Sequence, residues 1–206
     1  MGYEDTAKLS EQDERKGLLI LFMMDTIIET DRLIIRKITS ADFEDLFKLH
    51  SDSIVQKYTG EPIISTLEEV IKGSKERTFK DYEVYGYGRW AVILKSNNSF
   101  VGWAGLKYLP EFNEVDLGYR FLQKYWGMGI ATESSIAILK YGFEVLELKR
   151  IIAVAIIENK ASIRVMEKSG MIFDKKAPYD EGGEEDIWYK LDIKDYKRSQ
   201  KNIHNI

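Results

Sequence analysis

Two glycines one residue apart, Gly127 and Gly129, stand where a predicted strand gives way to a predicted helix. The strand runs from Glu114 to Leu122, and the amphipathic helix runs from Ala131 to Leu146. The first amides of a helix have no partner within the helix, and the aligned peptide dipoles place partial positive charge there. Glycine lets the backbone approach a phosphate closely and permits a positive φ. This spacing therefore predicts an anion site at the turn.

A carboxylate within the same predicted strand is the second feature that could do chemistry. Asp116 lies among apolar residues, where an ionised side chain is costly unless it has a partner or a function. Arg120 shares its face of the strand but is about 13 Å further along, too far for direct pairing. Asp116 is therefore a candidate proton acceptor, directly or through water, or else a structural hydrogen-bond acceptor. Glu158 is the second candidate for the proton, unless it is simply a solvated residue at a helix start.

A short helix is predicted from Asn159 to Ser169, after a β-branched run from Arg150 to Ile157. Such a run is typical of a strand buried on both faces. Asn159 is a good N-cap and Gly170 is a good helix stop. Ser162 lies one turn into this helix. The succession strand, helix, strand between Leu122 and Ile157 predicts one parallel crossover in the sheet.

The bulk composition limits the classes of function. The chain has 206 residues, a net charge of -4 and no cysteine. Nucleic acid is therefore not the expected ligand, and cysteine nucleophiles, disulfides and thiolate metal sites are excluded. Only two histidines are present and they lie far apart, so we expect no metal site. The apolar run Leu18 to Met24 is far shorter than the ~20 residues of a membrane span, so we expect no membrane partner, no signal peptide and a cytoplasmic protein.

The remaining patterns predict a single α+β domain with a mixed, mostly antiparallel sheet and helices on both faces. We divide the chain into an extension of residues 1–24, a domain of residues 25–196 and a polar tail of residues 197–206. We expect the tail to be frayed from Lys194 onward. The other predicted elements are a strand at Leu33–Ile38, helices from Thr39 and from Ser65 towards Phe79, a loop at Tyr82–Gly88, and strands at Arg89–Leu94, Phe100–Tyr108, Met171–Lys176 and Asp186–Ile193.

Three segments in this order resemble the GNAT superfamily of acyl-CoA-dependent N-acetyltransferases, and in particular its RimJ/RimL branch of ribosomal-protein alanine acetyltransferases. They are Thr30–Arg36, Leu117–Glu133 and Glu158–Gly170. The resemblance covers about Met24 to Tyr196. It implies a GNAT-like fold, acetyl-CoA as co-substrate, no metal, and transfer of an acetyl group to a primary amine by direct attack in a ternary complex. The amine is a protein N-terminal α-amine or a small-molecule amine.

The resemblance also implies which residues contact the coenzyme. They are Leu122, Lys124, Trp126, Gly127, Met128, Gly129, Ile130, Ala131, Thr132, Asn159 and Ser162. Lys124 stands where the family usually has Gln or Arg, so the charge stays but bidentate geometry is lost. Met166 stands where many members have a tyrosine that protonates the leaving thiolate. Ser162, or water, is the candidate to take that catalytic role beside Asp116.

Several side chains have two open interpretations. Trp90, Trp103, Tyr108 and Trp188 either wall an acceptor cleft or belong to the core. The acidic turn Asp180–Glu185 either attracts a cationic acceptor or is simply solvated. His50 is expected at a helix surface or at the edge of the core.

The whole chain also has competing interpretations. A non-catalytic acyl-CoA-binding module on the same fold is the alternative function. A nucleotide-phosphate hydrolase is disfavoured because no Lys-Ser/Thr follows the glycines. Monomer and homodimer both stay open.

Overall fold

Alternating and β-branched apolar residues build eight strands that pair into one sheet. The computed structural model of the chain describes residues 26–180 and 183–203, so the extension of residues 1–24 lies outside it. The strands are β1 Thr26–Glu29, β2 Leu33–Lys37, β3 Arg89–Leu94, β4 Ser99–Leu109, β5 Glu114–Phe121, β6 Arg150–Ile156, β7 Ile172–Pro178 and β8 Glu185–Asp192.

Helices fill most of the connections. They are α1 Phe43–Ser51, α2 Ser53–Gln56, α3 Leu67–Gly73, α4 Lys80–Tyr85, α5 Ile130–Glu144, α6 Lys160–Lys168 and α7 Ile193–Ile203. A π-helical segment, Ser74–Phe79, joins α3 to α4, and short 3-10 turns lie at Ser40–Asp42 and Gln123–Tyr125. The sequence Ser65–Glu69 is typical of a capping box at a helix start, and the cap is present before α3, since the Thr66 side chain accepts the Glu69 amide at 3.3 Å.

The strands follow the order β1-β2-β3-β4-β5-β6-β8-β7 across the sheet. Every neighbouring pair is antiparallel except β5 and β6, which the crossover helix α5 connects in parallel. The mixed, mostly antiparallel sheet and the single parallel crossover are confirmed. The β5–β6 register contains one Cα pair, Asp116 with Ile152, so the two strands part soon after it.

Helices cover both faces of this sheet. On one face, α5 packs Ile138 and Leu139 against Leu106 of β4 in the main hydrophobic cluster. On the other face, α1 packs Leu49 against Ile93 of β3 in a second cluster. A small third cluster around Trp188 covers the β6–β8 side of that second face. The parting of β5 and β6 therefore lies between two packed layers.

Two expectations in the N-terminal half were incomplete or wrong. The first strand is a hairpin, because Thr26–Glu29 pairs with β2 across a short turn. The segment Tyr82–Tyr85 is helical, and the predicted loop begins only at Gly86, which ends α4 with φ 76°. The Tyr82 hydroxyl, which the sequence placed in a loop, receives a hydrogen bond from the Ile38 amide at 3.1 Å.

Two expectations in the C-terminal half were wrong. Residues 194–203 of the tail that was predicted to be frayed are helical within α7, and Tyr196 is buried against Phe143 with ring centroids 4.9 Å apart. A polar helix with one well-placed aromatic residue can dock without a continuous apolar stripe. The spacing of apolar residues in the crossover helix predicts Ile136 on its core face together with Leu139 and Phe143. Ile136 is instead 49% exposed, and Ile138 takes the core position.

Candidate active site

The glycine turn connects the 3-10 turn to α5. Gly127 and Gly129 adopt φ of 76° and 78°, a left-handed conformation that favours glycine. Gly129 is the N-cap of α5 and provides no side-chain cap. A Cβ added at Gly127 would meet no heavy atom within 4 Å, so the space above the turn is open. The start of α5 therefore has the geometry that the sequence predicted for an anion site.

A clamp from the β1–β2 hairpin holds this turn; it consists of Thr30, Arg32 and Glu133. Arg32 donates from Nε to Glu133 Oε2 at 2.6 Å and from Nη1 to the Met128 carbonyl at 2.9 Å. The Thr30 hydroxyl donates to Glu133 Oε1 at 2.6 Å. Burial alone would raise the pKa of Glu133, but hydrogen bonds from Thr30 and Arg32 hold it below its usual value. The acidic side chain in the first turn of α5 is thus neutralised, and does not repel an anion there.

Large side chains flank the turn on its solvent side. Trp126 and Met128 are 50% and 49% exposed, and the Trp126 indole donates to the Phe121 carbonyl at 2.7 Å. The Lys124 ammonium lies 4.9 Å from the centroid of the Tyr125 ring. The structure thus places Lys124, Trp126 and Met128 around the turn, and their contact with a coenzyme stays a prediction.

The gap between the parting strands β5 and β6 leads away from the turn. Leu122, at the end of β5, donates its amide to the Val101 carbonyl at 3.0 Å, and its carbonyl accepts from the Tyr125 amide at 3.0 Å. A coenzyme role for Leu122 stays a prediction, and it is restricted to the remaining lone pair of its carbonyl.

The far end of the gap is bordered by the first turn of α6. The Asn159 side chain caps the helix by accepting the Ser162 amide at 3.0 Å. The Ser162 hydroxyl lies 2.9 Å from the phenol oxygen of Tyr119 on β5. Met166, which stands where many family members have a tyrosine, is 1% exposed and belongs to the main core. Its thioether has no proton to donate. The sequence had not identified Tyr119 as a site residue.

Asp116 has a partner that the sequence did not reveal. Its carboxylate Oδ2 accepts a hydrogen bond from Arg89 Nη2 of β3, and the two side chains are only 14% and 15% exposed. Arg89 also donates to the Gly105 carbonyl at 2.5 Å and to the Asp116 carbonyl at 3.1 Å. A Cβ at Gly118 would lie 2.5 Å from Arg89 Nη2, so this glycine makes the room for the guanidinium. The ion pair supports the structural interpretation of Asp116, and its role as a base stays a prediction.

A second arginine cluster lies further along the same face of β5. Arg120 donates from Nη1 to Glu61 Oε2 at 2.9 Å and contacts His50 Nδ1 at 2.8 Å. Its guanidinium lies 5.2 Å from the Trp103 ring centroid, and that of Arg89 lies at 5.4 Å from the same ring. Burial and the charge of Arg120 lower the pKa of His50 to about 4. His50 is therefore neutral near pH 7 and accepts from Arg120. It is half-buried in the last turn of α1, which matches the core-edge position, one of the two that the sequence left open.

The four aromatic residues considered for an acceptor cleft divide between the faces. Trp90 and Tyr108 belong to the main core, on the face opposite Asp116, and Trp90 packs against Tyr141 of α5. Trp103 and Trp188 lie on the Asp116 face.

Several acidic side chains lie around Asp186, at the start of β8. Burial, together with the charges of Asp180 and Glu158, raises the pKa of Asp186, against a hydrogen bond from the Tyr179 amide. Asp180 and Glu158 are therefore both close enough to act on Asp186, which pairs with Ile156 at the end of β6. Residues 181–182 of the acidic turn lie outside the described part of the chain.

Two features are absent from the described parts of the chain, a membrane-spanning helix and a metal-binding group of side chains. Within residues 26–180 and 183–203, no helix is long and apolar enough to cross a membrane. Within the same ranges, no three His, Cys, Asp or Glu side chains are grouped so that they could hold a metal ion.

Known proteins with similar sequences and folds agree on one family. Residues 32–172 match the family described as Acetyltransferase (GNAT) domain. The uncharacterized N-acetyltransferase YoaA of Bacillus subtilis is 32% identical over 165 residues, which cover 75% of this chain and 92% of YoaA. A crystal structure of a GNAT-family acetyltransferase from Bacillus anthracis is 33% identical with a TM-score of 0.69, over 81% of this chain and 98% of that one.

A more distant solved structure shares the fold alone. It is a spermidine N-acetyltransferase from Vibrio cholerae in complex with CoA and spermine, with 17% identity and a TM-score of 0.67 over 81% of this chain and 99% of that one.

Proposed function

This chain belongs to the GNAT acetyltransferase family and is an N-acetyltransferase, and we propose that it transfers the acetyl group of acetyl-CoA to a primary amine by direct attack in a ternary complex. The observation that carries this proposal is the glycine turn. Gly127 and Gly129 leave the start of α5 uncapped by side chains and open above. The pyrophosphate of acetyl-CoA is an anion suited to that position.

We assign the coenzyme along one path through the molecule. Backbone amides from Met128 to Thr132 take the pyrophosphate, and the pantetheine arm enters the gap between β5 and β6. The single registered pair of these strands supports this path, because it leaves the strands apart towards their C-terminal ends. Asn159 and Ser162 then border the thioester end of the arm, while Lys124 and Trp126 flank the pyrophosphate.

The acceptor approaches, in this proposal, from the face of β5 that carries Asp116. The attacking amine must be neutral, and a free α-amine has a pKa of about 8 against about 10.4 for lysine. A protein N-terminal α-amine is therefore the easier acceptor near pH 7, and a small amine is the other class. Placement in the RimJ/RimL branch is likewise our proposal, supported by the three sequence segments.

Proton removal from the amine is assigned to Asp116, directly or through water. Arg89 bonds Oδ2 of this carboxylate, and Oδ1 is the oxygen we assign to the proton. Because Arg89 already bonds Oδ2, the amine proton has one carboxylate oxygen left to reach, either directly or through a bridging water.

A non-catalytic acyl-CoA-binding module is the second candidate. Two observations favour it. Asp116 is ion-paired with Arg89, and Met166, which stands where many family members have a proton-donating tyrosine, is buried in the main core and has no proton to donate. On this view the family fold would serve as a sensor of acyl-CoA.

Two measurements test these proposals in turn. Calorimetric titration with acetyl-CoA tests the coenzyme site, and a clear lack of binding at high micromolar ligand would refute both candidates. Thiol release is then followed with peptides beginning in Ala or Ser, with spermidine and with lysine. Turnover with any acceptor excludes the non-catalytic module, whereas tight binding with no turnover across the panel favours it.

A further inference from the structure

Tyr119 and Ser162 form a hydroxyl pair that bridges β5 and α6. The phenol oxygen of Tyr119 lies 2.9 Å from Ser162 Oγ and 3.1 Å from the Ser162 carbonyl oxygen. Tyr119 lies three residues beyond Asp116, the last β5 residue in register with β6. The pair therefore crosses the gap to which the proposed function assigns the pantetheine arm.

The two acceptor oxygens give the pair two proton arrangements. In one, Tyr119 donates to the Ser162 carbonyl, and the Ser162 hydroxyl proton points back at the phenol. In the other, the Tyr119 proton turns to Ser162 Oγ, and the serine proton is free to point into the gap. Both arrangements use oxygens already within hydrogen-bonding distance, so only hydroxyl rotations separate them.

We propose that Tyr119 is a positioning residue that orients the Ser162 hydroxyl towards the sulfur of the coenzyme. The inference rests on the proposed function, since it requires acetyl-CoA in the gap. As the amine nitrogen bonds to the acetyl carbon, the C–S bond breaks and its electron pair stays on sulfur. Ser162 donates a hydrogen bond to that thiolate and keeps its proton, while the surplus amine proton leaves through water. Tyr119 keeps its own proton throughout.

The surroundings support this division of roles. Burial raises the pKa of Tyr119 well above its ordinary value, so the phenol is a hydrogen-bond donor and not an acid. The Asn159 side chain fixes the backbone of Ser162 through its amide. Since hydroxyls otherwise rotate freely, the phenol is what selects the direction of the serine proton.

Conservative variants separate this role from a structural one. Tyr119→Phe keeps the ring and removes the hydroxyl, and Ser162→Ala removes the donor. The matched control is Tyr189→Phe, since the Tyr189 hydroxyl donates to Glu167 of the same helix at 2.8 Å and is also held by a largely buried ring. We expect the two tyrosine variants to lose similar thermal stability.

The first readout needs no acceptor. The thiol pKa of bound CoA is measured by NMR with 13C at the carbon attached to sulfur. A hydrogen bond donated to the sulfur favours the thiolate over the thiol, so Tyr119→Phe and Ser162→Ala should each raise the thiol pKa by about one unit. Tyr189→Phe should leave it unchanged. An unchanged thiol pKa in Tyr119→Phe, with CoA bound, would overturn the inference.

The second readout is kinetic, with the fastest acceptor of the panel. Tyr119→Phe and Ser162→Ala should each lower kcat about tenfold at unchanged acetyl-CoA affinity. The double variant should be no slower than Ser162→Ala alone, because the phenol acts through the serine. Independent, additive losses would overturn the inference. Failure of the wild-type protein to bind acetyl-CoA would instead refute the proposed function on which it rests.

Discussion

Replacing Gly127 by alanine tests the pyrophosphate assignment, and the chain offers a matched control. Gly127 and Gly86 share φ of 76°, and at neither position would a new Cβ meet a heavy atom within 4 Å. Alanine in the left-handed region costs roughly 1–2 kcal/mol. Each kilocalorie lowers Tm by about 2–4 °C in a chain of this size. Gly127→Ala and Gly86→Ala should therefore unfold at nearly the same lowered temperature.

Of the two variants, only Gly127→Ala should have a lowered affinity for acetyl-CoA. The methyl group at position 127 occupies the open space above the turn and prevents a close approach by phosphate. Loss of one amide–phosphate hydrogen bond removes about 1.5–3 kcal/mol, or about ten- to a hundredfold in affinity. Gly86 follows α4, well outside the glycine turn, so its variant should bind acetyl-CoA as the wild type does.

Calorimetric titration gives the acetyl-CoA affinity of each variant, and thermal unfolding without acetyl-CoA gives its Tm. Equal affinities for the two variants would show that the pyrophosphate does not lie on the Gly127 turn. Unequal Tm values would show that the strain at the two positions differs, and the binding comparison would then be repeated with Gly170→Ala, at φ 85° and equally uncrowded.

Three other predictions address the clamp, the carboxylate and the buried histidine. Arg32→Ala should weaken acetyl-CoA binding about three- to tenfold by calorimetry, because the Met128 carbonyl loses its donor. Arg150→Ala, which removes a similarly exposed arginine from another ion pair, should not weaken it. Asp116→Asn should lower kcat by at least about a hundredfold at unchanged acetyl-CoA affinity if this carboxylate is the base, and an unaltered pH–rate profile would contradict that role. The pKa of His50 falls from 6.5 in the unfolded chain to about 4 in the folded one, so the unfolded state binds the proton first and stability should fall as pH drops from 6.5 to 4. The loss approaches about 3 kcal/mol, and urea unfolding of His50→Gln should show a flatter dependence over that window.

Local sequence signals were sufficient for the glycine turn, for the α6 cap and for most strands. A glycine at an N-cap, or an asparagine whose side chain accepts the Ser162 amide, is determined by residues a few positions away. The crossover α5 follows from its apolar period. Each of these features is determined by residues that are close together in the sequence, so the sequence alone was enough to predict it.

The pairing of Asp116 with Arg89 could not be read in the same way. It depends on the register of β3 with β4 and of β4 with β5, which sets Arg89 opposite Gly105 and Gly105 opposite Gly118. The absent side chain at Gly118 was a usable signal, since it leaves space two residues from a buried carboxylate. Without the register, however, no residue on β3 could be selected as the partner.

Errors at the ends of the chain have a different cause. β1 is four residues long and pairs only at the edge of the sheet, so it carries little periodic signal. Tyr196 anchors α7 by a stack on Phe143 and a hydrogen bond to Glu144 at 2.5 Å. Both partners belong to a distant helix, so tertiary contacts decide the structure of a segment whose own composition favours fraying.

The clamp between the hairpin and α5 sets an order on assembly. Arg32 and Glu133 are separated by 101 positions, and a loop of that length must close before they meet. The glycine turn can therefore gain its hydrogen bond from Arg32 only after the first strands have docked on the rest of the sheet. A ligand that binds the completed turn and not the unfolded chain stabilises every contact on which the turn depends. If acetyl-CoA binds this turn, its binding would therefore distinguish fully folded molecules from those in which the hairpin has not yet docked.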